Sequence, residues 1–107
     1  MGMISDMVTP GKGNKSVQVT TTAALVASTA QGASFGTWLS APETNTEAVI
    51  IGFASTVTAP SATPGTAAAT DGVPIAAGAP PLFINVDPSR IYVIAPSANQ
   101  TLCAMWS

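Results

Sequence analysis

The chain has 107 residues, with three Lys or Arg, five Asp or Glu, no His and a single Cys, for a formal net charge of −2. Catalysis draws on titratable groups, activated nucleophiles and metal ligands, so this composition argues against an enzyme and against a metal or cofactor site. It argues equally against nucleic acid, because Lys12, Lys15 and Arg90 are too scattered to form the cationic stripe that displaces phosphate counterions.

Residues 1–15 hold the apolar side chains Met3, Ile4, Met7 and Val8, followed by the chain breakers Pro10, Gly11 and Gly13. This is the composition of an arm on a hinge rather than of a first strand, its apolar half expected to dock on another surface and to order on binding, with a frayed chain end as the other reading. The stretch has neither the basic region nor the apolar run of a secretory signal, and no run approaches the roughly 18 apolar residues of a membrane span. Synthesis in the cytoplasm is the expectation.

From Ser16 the pattern turns to β. Val17 and Val19 alternate with Gln18 and Thr20, and the run continues to Leu25 and Val26, which suits one long strand or two short ones with a bend. A turn over residues 30–33 leads to a strand in which Phe35, Thr37 and Leu39 face one way and Gly36, Trp38 and Ser40 the other. Ala48 to Phe53 is the most apolar strand, with Val49, Ile51 and Phe53 on one face and Ile50 on the other. It is expected to be central and covered on both sides.

Residues 54–72 contain Pro60, Pro64 and Gly65, with Val57 as the only sizeable apolar side chain. Their length exceeds the usual connection between strands, and they are expected to form a long exposed loop. The chain re-enters at Val73-Pro74-Ile75 and then offers three strands, at residues 82–86, 90–94 and 101–106. Between the first two, Asp87-Pro88-Ser89 is a turn with a mechanism, because Pro presets φ and Asp bonds the backbone ahead of it. Three strands at this spacing predict a β-meander.

Nine prolines and nine glycines punctuate the short strands, and no stretch sustains a 3.6-residue apolar period. The expected architecture is all-β: a single-domain β-sandwich or small barrel over residues 16–107, jelly-roll-like, behind an extended N-terminal arm.

Few side chains qualify as candidate sites. Cys103 is alone in an apolar run and is expected to be buried and inert. Glu43 and Glu47 are the only close carboxylates, and the turn-like Thr44-Asn45-Thr46 between them makes them solvated loop charges rather than an acid–base pair. Trp38, Tyr92 and Trp106 are the possible contact aromatics. Rings of this kind serve as stacking platforms for sugars, but in strands they more often pack in a core or against another subunit. A nearly neutral surface provides little repulsion between copies, so a homo-oligomer is expected.

The C-terminal part carries a further pattern. Gly72-Val73-Pro74-Ile75-Ala76-Ala77-Gly78, then a strand, then Asp87-Pro88-Ser89-Arg90-Ile91-Tyr92-Val93-Ile94, then Asn99-Gln100-Thr101-Leu102 resembles small structural proteins of tailed bacteriophages. In those proteins a G-I/V-P-I/L-x-x-G turn leads to a strand, a D-x-S-x-I-Y-V segment and a short closing strand. Residues 47–52 match the preceding strand less distinctly, and the connection between Gly52 and Gly72 is longer than is usual there. The resemblance covers about residues 46–106 and rests on turn chemistry and strand pattern.

It implies a virion component on the capsid surface, foremost a head decoration or cement protein that binds the major capsid protein, with a trimer as the preferred assembly. It transfers no catalytic residue. The alternative is a receptor- or glycan-binding module of a phage fibre or tail, using Trp38 or the 54–72 loop. A small enzyme inhibitor, with the long loop entering a cleft, is a third reading.

Overall fold

The computed structural model describes residues 13–60, 65, 68–97 and 99–107. Eight strands are named in chain order: β1 (Gly13–Val19), β2 (Ala24–Leu25), β3 (Thr37–Ser40), β4 (Val49–Gly52), β5 (Val73–Ile75), β6 (Leu82–Ile84), β7 (Tyr92–Ile94) and β8 (Gln100–Trp106). A short 3-10 helix, Pro88–Arg90, precedes β7. The strands form two four-stranded sheets: sheet A in the order β1-β8-β3-β6 and sheet B in the order β2-β7-β4-β5. All strand pairs within the sheets are antiparallel.

The pairing follows a simple rule. β1 pairs with β8, β2 with β7, β3 with β6 and β4 with β5, as in one long hairpin whose tip is the connection between β4 and β5. Rolling that hairpin on itself brings β3 beside β8 and β4 beside β7, which closes each sheet. This is jelly-roll wiring, in a sandwich with open sheet edges rather than a closed barrel.

The core lies between the sheets. Val19, Leu39, Leu102, Ala104 and Trp106 come from sheet A, and Val49, Ile51, Ile75 and Val93 from sheet B. Val26, Ala41, Ile91 and Ala95 complete it from the connections. β8 shows why the sequence folds this way: Gln100, Leu102, Ala104 and Trp106 point inward while Thr101, Cys103 and Met105 point outward, the two-residue period of a strand with one covered face. β4 is inner and buried through Val49, Ile50 and Ile51, as its unbroken apolar run requires.

Side chains clasp both ends of the sandwich. At one end the Asp87 carboxylate accepts hydrogen bonds from the backbone N–H groups of Gln31 (3.0 and 3.1 Å), Ala33 (3.1 Å) and Ser89 (3.0 Å) and from the Ser89 hydroxyl (2.8 Å). It caps the 3-10 helix and pins the β2–β3 connection to the β6–β7 connection. Partial burial by itself raises the Asp87 pKa, but the donors from Gln31, Ser89 and Ala33 outweigh it and lower the value from 3.8 to about 2. At the other end Asn45 donates to the Thr101 carbonyl (2.8 Å) and accepts from the Thr101 N–H (2.9 Å). Beside it the Gln100 side-chain carbonyl accepts from the N–H groups of Thr46 (2.8 Å) and Glu47 (3.1 Å).

Several expectations are corrected. The last three strands are not a meander: β6 and β8 lie in sheet A, separated by β3, while β7 lies in sheet B. Chain proximity gives way to the pairing of the rolled hairpin. β1 begins at Gly13, within the stretch assigned to a hinge, because this glycine lets the Trp106 indole approach the backbone. A Cβ there would lie 2.6 Å from Trp106 Cζ2. Of the two readings of the run from Ser16 to Val26, the structure has the two short strands, and they lie in different sheets. Phe53 lies beyond β4 and is 65% exposed instead of joining Val49 and Ile51 in the core. Cys103 is half-buried on the outer side of sheet A, since the alternation of β8 places it opposite to Leu102.

The 54–72 loop is not exposed throughout. Val57 is buried, and Thr58 and Asp71 form an isolated bridge, with Thr58 N–H donating to the Thr70 carbonyl and Gly72 N–H to the Thr58 carbonyl, both at 2.8 Å.

Candidate functional site

The outer face of sheet A carries a row of large side chains. β-sheet register aligns Asn14 with Met105, Met105 with Trp38, and Trp38 with Phe83 across four strands. Trp38 is 46% exposed, Phe83 40% and Met105 50%. The Trp38 and Phe83 rings stand 4.8 Å apart between centroids and are tilted by 50°, a favourable aromatic pair that leaves both rings partly open to solvent. Next to this row Ser16, Ser40 and Cys103 form a second row of small side chains. A shallow groove of about 470 Å³ runs along Asn14, Lys15, Trp38, Pro81 and Met105, and among the described residues Lys15 is the one charged residue along it.

The strand period sends Trp38 outward, because Thr37 and Leu39 are fully buried. Phe83 and Met105 reach the same place from strands distant in sequence. Nothing in the chain's local pattern announces their meeting with Trp38; it depends on the register of β3 against β6 and β8.

The three aromatics singled out from the sequence are not brought together. Trp38 lies on the outer face of sheet A, while Trp106 is buried on its inner face. Tyr92 belongs to sheet B, half-buried in a shallow cleft with Phe53, Val86 and Arg90. Met3, Ile4, Met7 and Val8 lie outside the described residues.

A second concave surface of about 540 Å³ lies beside edge strands β5 and β6 and the β4–β5 connection. Phe53, Val57, Val73, Leu82 and Ile84 line it, with Asp71 as its only charged residue among the described ones. The Asp71 carboxylate accepts from the N–H of Ala68 at 3.0 Å, so it serves the loop. Glu43 and Glu47 lie on the β3–β4 connection, where Glu47 accepts a hydrogen bond from the Ser97 hydroxyl at 2.6 Å. Among the described residues no group of three or more His, Cys, Asp and Glu is placed to hold a metal ion, and no helix is long and apolar enough to cross a membrane.

The arrangement offers contact area more than chemistry: an aromatic and thioether row flanked by hydroxyls, on a rigid sheet. Comparison of the chain with protein-family models, with curated proteins and with solved structures finds no match.

Proposed function

We propose that this chain is a non-enzymatic structural protein of a tailed-bacteriophage virion, a decoration or cement protein that binds the major capsid protein at the capsid surface and stabilises the head. The observation that carries this reading is the motif series from Gly72 to Leu102, which resembles small phage structural proteins in turn chemistry and strand pattern. Two physical features support it. The surface is nearly uncharged, with 7% charged residues in the chain, so attachment by apolar and hydrogen-bonding contact is not opposed by repulsion. The outer face of sheet A offers contact of this kind between subunits through Met105, Trp38 and Phe83. In a shell each small contact is repeated by symmetry, so a weak interface per copy suffices.

The preferred assembly is a homotrimer, by analogy with the resembled proteins. Co-sedimentation with empty phage heads tests the reading: binding that saturates at a fixed number of copies per head supports it, and protein left wholly in the supernatant refutes it.

The half-exposed Trp38–Phe83 pair favours one second reading, a glycan-binding module of a fibre or tail. Saturable binding to host-surface sugars that is abolished by Trp38→Ala would establish it instead.

A further inference from the structure

We propose that the row Met105, Trp38 and Phe83 is the seat of the N-terminal segment of a second copy of this chain, with Met3, Ile4, Met7 and Val8 packing on it. The inference rests on the structural-protein reading only in expecting self-assembly, and its test uses purified protein without capsids.

Large apolar side chains that adjoin on an open sheet face mark an interaction surface more often than scattered ones do. The occupant follows from where the described chain starts. Gly13 is the first residue of edge strand β1 and pairs with Trp106; its neighbour Asn14 stands in the same register row as Met105, Trp38 and Phe83. The segment therefore joins the described chain at the margin of the patch. Twelve residues precede Gly13, and at about 3.3 Å each they reach about 40 Å when extended. A row across four strands at about 4.8 Å spacing spans only about 14 Å, so the segment is long enough to cross the same face of a neighbour.

A neighbour's sheet is chosen over the segment's own because the nearly neutral chain leaves association between copies almost unopposed by charge.

Chemistry complements length. The segment presents Met3, Ile4, Met7 and Val8, and the flexible Met side chains suit an uneven surface made of two tilted rings and another thioether.

Sedimentation velocity and acrylamide quenching on the full-length protein test the proposal. Trp106 is buried, so quencher-accessible emission reports on Trp38. The expected result is an oligomer with Trp38 shielded. In full-length Ile4→Asp/Met7→Asp, which leaves the described core intact, the oligomer should dissociate and quenching of Trp38 should rise at least twofold while the far-UV circular dichroism of the folded sandwich is retained. Trp38→Ser should dissociate the oligomer in the same way. Four results would overturn the proposal: an unchanged oligomer in the Ile4/Met7 variant, an unchanged oligomer in the Trp38 variant, a wild-type monomer with Trp38 open to quencher, or a wild-type monomer with Trp38 shielded, which would place the segment on its own sheet. Failure to bind heads leaves this result untouched, and failure here leaves head binding standing on other surfaces.

Discussion

Asp87 shows how one side chain can hold two remote connections. Its carboxylate gathers three backbone N–H groups and a hydroxyl, from Gln31, Ala33 and Ser89. Part of this was legible in the sequence: Asp-Pro-Ser announces a local cap, and the bond to Ser89 is that cap. The bonds to Gln31 and Ala33 were not legible, because they depend on the β2–β3 connection meeting the β6–β7 connection in space. Asp87→Ala is expected to destabilise the domain by about 2 kcal/mol in urea unfolding at pH 7, through the lost cap and the stranded donors. Since the folded pKa is depressed from 3.8 to about 2, the ionised carboxylate stabilises the fold above pH 3.8, and that contribution is lost as pH falls through about 2. The stability gap between wild type and Asp87→Ala should therefore narrow between pH 4 and pH 2; a gap independent of pH would contradict this account.

The two tryptophans separate by parity. Trp106→Ala empties a buried site and is expected to cost about 3–5 kcal/mol, whereas Trp38→Ala removes one half of an exposed aromatic pair and is expected to cost about 1 kcal/mol. Comparable losses for the two variants in denaturant unfolding would refute the assignment of inner and outer faces. The outward direction of Trp38 follows from alternation with Thr37 and Leu39, which the sequence displays. Its neighbours Phe83 and Met105 follow from register, which the sequence does not.

At the scale of elements, local pattern marks strands but not their partners. The apolar run of β4 implies a strand covered on both faces, and β4 is inner and buried. The turns after β6 and β7 suggest neighbouring strands, yet the chain changes sheet at each of them. Pairing β1 with β8 and β2 with β7 joins the two ends of the domain, and no short-range signal encodes such a choice. Amide exchange should follow the resulting layout. The inner strands β8, β3, β7 and β4 are expected to exchange slowest, and the edges β2, β5 and β6 fastest. Slow exchange in β6 equal to that in β8 would place β6 inside a sheet.

At the scale of the whole molecule, composition and punctuation carry the fold class. Frequent Pro and Gly, short alternating runs and the lack of a helical period point to a β-sandwich, and the rolled hairpin supplies its jelly-roll order. Fold alone does not choose a function, since jelly rolls serve capsids and lectins alike. The proposal of a head-binding structural protein therefore stands on the Gly72–Leu102 resemblance and on a surface built for contact. Deleting residues 1–9 leaves every described strand in place and is expected to weaken attachment to heads by at least tenfold. Full occupancy by the shortened protein would assign attachment to the sandwich alone.

The most direct measurement is co-sedimentation of the purified full-length protein with empty phage heads across a concentration series. The account predicts saturation at a fixed number of copies per head, together with a rise in the temperature at which the heads break open. Protein that stays in the supernatant at every concentration, with head stability unchanged, would contradict it.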